Sequence, residues 1–256
     1  ISGHPSVKGI LAEMCEPNVG HLLKPLQRED LELVLNGPKK TVKKAKSSGI
    51  TRHFGGLIGE SEPMQKLYNM IERVAKTNAN VMLMGESGAG KEVVAQAIHN
   101  ASQCEGPLVA SKFGALSKEL IGSELFGHES GAFTGASKRH EGRFERANSG
   151  TLFLDELANT SAMVQEKLLR VIEYGEFERV GGKQTVKVDT RLVCATNEDL
   201  PHLAEQGEFR SDLLDRLAFD VITLPPLRER QDDIMLLAEQ FAMNMARDLE
   251  WELFSG

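Results

Sequence analysis

Four consecutive apolar residues, Val81-Met82-Leu83-Met84, run into a glycine-rich stretch and then into Val93, Val94, Ala97 and Ile98, which share one helical face. The chain repeats this change of period. Short apolar runs at 81–84, 107–111, 151–155, 190–196 and 218–224 predict strands, and their near-continuous apolar character predicts burial on both faces. Between them a 3.6-residue spacing predicts helices, as in the segment from Ser61 that places Met64, Leu67, Met70, Ile71 and Val74 on one side. Strands alternating with helices predict an α/β domain around a five-stranded, mainly parallel sheet. A further helix over 233–248 follows Pro225-Pro226 and opens a small helical lid, which the sequence cuts short.

The pattern changes twice ahead of that domain. Residues 1–36 combine a helical stretch (Val7, Ile10, Leu11, Met14), a strand Val19-Gly20-His21-Leu22-Leu23, the pair Lys24-Pro25 and a second amphipathic run from Leu31 to Leu35. Over 37–55, Gly37-Pro38 breaks the preceding helix, and Lys39, Lys40, Lys43, Lys44 and Lys46 crowd together as in a solvated linker. The expected organisation is therefore a small α/β fragment at 1–36, a linker at 37–55, the main domain at 56–226 and the truncated lid at 227–256.

Composition narrows the function classes. A net charge of −7 over 256 residues opposes a surface built for DNA, whose phosphates need a positive field. Any DNA contact is expected through a partner or through a segment absent from this chain. No apolar run approaches the roughly 18 residues of a membrane span. Cys15, Cys104 and Cys194 are scattered, with neither a disulfide framework nor metal-site spacing, which suits a reducing cytoplasm. The chain begins at Ile1 and is expected to be a piece of a longer protein.

Chemistry concentrates in three places. Gly85-Glu86-Ser87-Gly88-Ala89-Gly90-Lys91 sits between a strand and a helix, the context in which a glycine loop turns its backbone N–H groups onto phosphates while Lys91 offsets the β/γ charge. Glu92 follows where Ser or Thr is common. Gly150-Thr151-Leu152-Phe153-Leu154-Asp155-Glu156 ends a buried strand in two acids, the arrangement that holds Mg²⁺ through water (Asp155) and polarises an attacking water (Glu156). Third, Gly131-Ala132-Phe133-Thr134-Gly135-Ala136 brackets an apolar group between two glycines. Phe133 there either folds into the core or is offered outward on a mobile loop.

Taken together, these motifs resemble the AAA+ ATPases that activate sigma-54 RNA polymerase, the bacterial enhancer-binding proteins. From about Leu57 to the end the chain is similar to that family's P-loop NTPase core. The resemblance implies ATP and Mg²⁺ as cofactors, a homo-oligomeric ring (a hexamer), cytoplasmic work without a membrane, and the sigma-54 holoenzyme as the partner gripped by residues 131–136. It implies that Val180-Gly181-Gly182-Lys183 is a second loop moving with the first, and that Thr196-Asn197 is the sensor I position. Asn197 there orients water or γ-phosphate, or else caps the following helix. Arg210 and Arg216 correspond to trans-acting arginine fingers, whereas helical spacing alone favours a surface pair between Asp212 and Arg216. The family usually places Asn where Lys112 stands, and a lysine there is expected to pair with Glu156 and restrain it, which leaves a non-hydrolysing regulatory relative as one alternative; an AAA+ remodeller of another class is a second, against which the intact 131–136 motif speaks. Residues 1–36 resemble the end of a response-regulator receiver domain, with Ser2 and Lys24 at its phosphate-sensing positions and the phosphate-accepting aspartate before Ile1.

Overall fold

The structure, a computed structural model, describes residues 52–115 and 117–248. The receiver-like reading of 1–36 and most of the lysine-rich linker lie outside the described residues.

Strands β1 (His53–Phe54) and β2 (Leu57–Ile58) form a small antiparallel hairpin ahead of helix α1 (Glu62–Ala75). The hairpin begins within the stretch read as linker. Strand β3 (Val81–Met84), helix α2 (Lys91–Ala101), β4 (Leu108–Lys112), α3 (Lys118–Phe126), the short α4 (Arg143–Arg146) and β5 (Thr151–Asp155) follow. Helix α5 (Ala162–Tyr174) leads into the hairpin β6 (Glu176–Glu178) and β7 (Thr185–Lys187). After it come β8 (Arg191–Thr196), α6 (Leu200–Glu205), α7 (Ser211–Leu217), β9 (Asp220–Thr223) and α8 (Asp233–Asp248).

Five strands build one sheet in the order β4-β5-β8-β3-β9, every pair parallel. Their side chains alternate between two cores, as the pleat requires. Val81, Leu83, Phe153, Val193, Ala195 and Ile222 pack with Leu67, Ile71, Val94 and Ile98 of α1 and α2. Met82, Leu152, Leu154, Leu192 and Cys194 face Phe113, Ile121, Phe126, Phe144, Leu168 and Leu213 on the other side. Burial on both faces explains why the strands are apolar throughout. It also pushes the Cys194 thiol up to about 12. The five predicted strands agree with those observed to within two residues at each end.

The parallel register decides where the site falls. Lys112 lies opposite Asp155, Asp155 opposite Ala195, and Met84 opposite Thr196 and Thr223, so the carboxyl ends of all five strands share one edge. In open α/β sheets ligands bind outside that edge.

Candidate functional site

The glycine loop leaves the end of β3 and closes at Gly90, the N-cap of α2, whose φ of 101° favours a residue without a side chain. Lys91, the first helical residue, folds its ammonium back onto the loop, donating to the carbonyls of Gly85 (2.8 Å) and Glu86 (3.1 Å). The loop forms one wall of a cleft of about 400 Å³, whose other walls include Ile58, Val93, Leu227, Arg230 and Phe241. Glycine-rich backbone on one side and apolar side chains on the other are the kind of lining that a nucleotide can occupy.

Two contacts link the segment 227–233, which leads into α8, to the glycine loop and to the start of α1. Arg228 grips Glu86 of the loop with two hydrogen bonds of 2.7 and 2.9 Å, which holds the Glu86 carboxyl below its usual range. Asp233, fully buried at the start of α8, accepts from the backbone N–H groups of Glu60 (2.7 Å) and Ser61 (2.9 Å) and from the Ser61 hydroxyl (2.6 Å). Ser61 therefore begins α1 as a donor to Asp233 and makes no side-chain cap of its own. Burial, with the Asp233 charge adding and Arg230 opposing, pushes the nearby Tyr68 hydroxyl up to about 12. An acid at a helix start is ordinary in sequence; only the tertiary fold shows that Asp233 joins two helices.

Asp155 ends β5, and Glu156 follows in the left-handed region at φ 58°, ψ 47°. The Glu156 N–H donates to Asp155 Oδ1 (3.0 Å), and Asn159 Nδ2 donates to Glu156 Oε2 (3.2 Å). Among the described residues no three His, Cys, Asp or Glu side chains cluster as a metal cage. Magnesium needs less, since it binds through one or two carboxylates, waters and substrate phosphates, and Asp155 meets that requirement. Asn197 is exposed just past β8. It does not cap α6; that role belongs to Asp199, which accepts from the His202 N–H at 3.1 Å.

Arg210 precedes α7 as its N-cap residue and Arg216 lies in its last turn, both exposed. Asp212 is gripped by Arg210 (2.7 and 3.0 Å), so the Asp212–Arg216 pair expected from helical spacing does not form. Arg216 instead reaches Glu173 of α5 at 3.1 Å.

Residues 131–136 make a closed turn, with the Gly131 N–H donating to Ala136 O (2.8 Å) and the Ala136 N–H to Phe133 O (3.0 Å). Ala136 is buried, Thr134 exposed and Phe133 41% exposed, its ring set edge-on against His128 at 4.9 Å. Phe133 thus belongs to neither core cluster. The second loop is bound to the first: Glu129 N–H donates to Val180 O (3.0 Å), Val180 N–H to Gly127 O (2.9 Å), and a side chain on Gly181 would strike Ala132. Beneath both loops the buried Arg179 bonds Glu129 (3.0 Å) and Glu145. Sequence reading missed this clamp, whose partners lie 34 and 50 positions from Arg179.

A phosphate-type loop and two strand-end acids occur in many P-loop proteins, but the sequence profile of the sigma-54 interaction domain matches residues 57–223. The chain belongs to the sigma-54 interaction domain family. Its fold is that of the AAA+ P-loop NTPases. The Psp operon transcriptional activator of Escherichia coli (strain K12) is 57% identical over 201 residues, 78% of this chain and 62% of that protein. The nitrogen fixation protein AnfA of Azotobacter vinelandii is 51% identical over 193 residues, 75% of this chain and 36% of that protein. NtrX from Brucella abortus, solved in complex with ATP, is similar with a TM-score of 0.70 at 36% identity, covering 96% of this chain and 54% of that one. The chain thus spans about a third to two thirds of the length of such relatives.

The structure corrects the expectation drawn from Lys112. Lys112 does not pair with Glu156. Its ammonium bonds Glu92 at 2.7 Å, and that contact, aided by the Asp155 charge, raises its pKa. Glu92 lies on α2, which α/β packing brings to the end of β4; the sequence separation of the two hid the pair.

Proposed function

We propose that this chain is the ATP-hydrolysing core of an activator that remodels the closed promoter complex of sigma-54 RNA polymerase. The carrying observation is the shared strand edge, which gathers Lys91, Asp155, Glu156 and Asn197, in a chain whose loop 131–136 stands outside the core with Phe133 half-exposed. ATP lies along the cleft. The loop N–H groups and Lys91 hold its phosphates, Lys91 trading the carbonyls of Gly85 and Glu86 for the β/γ oxygens. Asp155 holds Mg²⁺ through water, and the ion supplies charge neutralisation at the transferring phosphoryl group. Glu156 takes the proton of the attacking water, and Asn197 orients that water or the γ-phosphate.

Arg210 and Arg216 reach the nucleotide of the next subunit in a hexameric ring, which makes hydrolysis depend on assembly. Arg179 and the hydrogen bonds between loops 127–136 and 179–182 carry the change to Phe133 and Thr134, which grip sigma-54. The ring works in the cytoplasm, and DNA is reached only through a segment absent from this chain. A paired substitution tests the chemistry. Lys91→Ala should abolish ATP binding in a direct titration, whereas Glu156→Gln should bind ATP nearly as the parent and lose hydrolysis by about two orders of magnitude or more. Retained affinity in Lys91→Ala would remove the phosphate-loop assignment.

A further inference from the structure

Two residues of the glycine loop stand in open space. Gly88 and Gly90 have φ of 78° and 101°, and a Cβ added at either would meet nothing within 4 Å. Glycines so placed have many backbone conformations to lose when a loop closes on phosphates. Lys91 ties the loop down through the carbonyls of Gly85 (2.8 Å) and Glu86 (3.1 Å). Nucleotide binding, as read above, takes that ammonium away to the β/γ oxygens. Another contact must then keep the loop in shape.

The Glu86 side chain supplies one. Its carboxylate accepts both branches of the Arg228 fork, Nη2 on Oε1 at 2.7 Å and Nη1 on Oε2 at 2.9 Å. The turn from which Arg228 reaches is anchored on both sides. Ahead of it, the Leu224 N–H donates to Met84 O at 2.8 Å and fixes the chain to the end of β3, where the glycine loop begins. Behind it, Gln231 Nε2 donates to Arg228 O (3.2 Å), the Asp233 N–H donates to Arg230 O (3.0 Å), and buried Asp233 is bonded to Glu60 and Ser61. A single exposed ion contact would contribute little. A two-point fork from an anchored base sets direction as well as distance.

We propose that Arg228 is a positioning residue for nucleotide binding: by gripping Glu86 it splints the glycine loop, which keeps its phosphate-ready shape when Lys91 turns to the phosphates. The inference rests on the nucleotide reading of the cleft. The same pair could instead serve only to cancel the Glu86 charge beside the phosphates, and the two roles differ in sign. With charge alone at stake, Glu86→Ala would tighten binding. A splint cut at either end loosens it.

ADP titrated into the intact protein tests this. Glu86→Ala and Arg228→Ala should each weaken ADP binding about threefold to fivefold, the effect of a well-made exposed pair, and the double variant should be no weaker than either single one. Tm should stay within about 2 °C of the parent in all three, as for an exposed pair. In steady-state hydrolysis KM for ATP should rise by the same factor, with kcat within about twofold. Tighter binding in Glu86→Ala would leave only the charge role and overturn the proposal. Unchanged affinity in both single variants, or losses that multiply in the double one, would overturn it too, since either means that the pair does not act as a unit. A fall in Tm that accounts for the lost affinity would make Arg228 a structural residue, which also overturns it. If the parent binds ADP with this pattern yet hydrolyses no ATP, the ATPase reading fails and the splint stands. If the parent binds no nucleotide, both fall.

Discussion

Replacing Arg179 by methionine removes the guanidinium while keeping much of the stem that packs beneath the two loops. The Arg179 side chain is 6% exposed, and its partners Glu145 and Glu129 are 12% and 36% exposed, so the loss strands one nearly buried carboxylate and one half-exposed carboxylate. Breaking a buried pair by deleting one partner costs about 3–5 kcal/mol. Glu145 keeps the Gly142 N–H at 3.3 Å and lies 3.8 Å from Arg139, which argues for the lower end, about 3 kcal/mol. At about 2–4 °C per kcal/mol for a domain of this size, Tm should fall by about 6–12 °C.

The pH dependence has a definite sign. Burial pushes the Glu145 carboxyl up, but Arg179, the Gly142 N–H and Arg139 pull it further down, below its usual range. Stability from such a group is complete above the ordinary carboxylate range and is lost as pH falls through the lowered value. Melting curves of parent and Arg179→Met should therefore converge on acidification. In the double variant with Glu145→Gln the costs should be far from additive, because the second change removes the stranded charge. A Tm within about 2 °C of the parent at neutral pH would refute the reasoning, since no buried pair of this kind is so cheap to break. Full additivity would do the same.

Two further outcomes concern the exposed charges Lys112 and Arg216. Lys112→Asn should leave the ATPase rate within about threefold of the parent, because Lys112 spends its charge on exposed Glu92 and such pairs contribute little; a rise of tenfold or more would mean that Lys112 restrains Glu156 in solution. Arg216→Ala should leave nucleotide affinity and Tm nearly unchanged while turnover falls by about a thousandfold, whereas Glu173→Ala, which removes the partner seen in the single chain, should not slow turnover. A lowered Tm with proportionate loss of activity would assign Arg216 to structure.

The sheet was legible because both of its faces are covered. Apolar runs such as Leu152-Phe153-Leu154 have one interpretation in an α/β alternation, and proline and glycine punctuate the rest. Helix α8 begins at the predicted residue, Asp233, because Pro225-Pro226 ends the element before it. The β6–β7 hairpin went unseen, since Glu176-Phe177-Glu178 and Thr185-Val186-Lys187 carry one apolar residue each, too few for a period. The glycine loop 85–91 and the acid pair Asp155-Glu156 were visible as motifs because their geometry is local.

What escaped was set by tertiary neighbours. Lys112 chose Glu92 over Glu156, Arg216 chose Glu173 because Arg210 had taken Asp212, and Asp233 closed a junction 172 residues away. Charged side chains are long enough to select among several partners, so spacing along one element cannot decide between them. Phe133 shows the same limit from the apolar side. Its pattern allowed a core or an outward position, and the structure sets it half-exposed against His128.

The central claim is that hydrolysis at the strand edge is transmitted to sigma-54 through residues 131–136, and Phe133→Ala tests it most directly. ATP hydrolysis and sigma-54 binding should be measured on the same preparation, the latter with ADP–aluminium fluoride as the transition-state mimic. The account predicts hydrolysis close to the parent's and no retained sigma-54. Parallel loss of both would contradict it, and would make Phe133 a structural residue packed against His128.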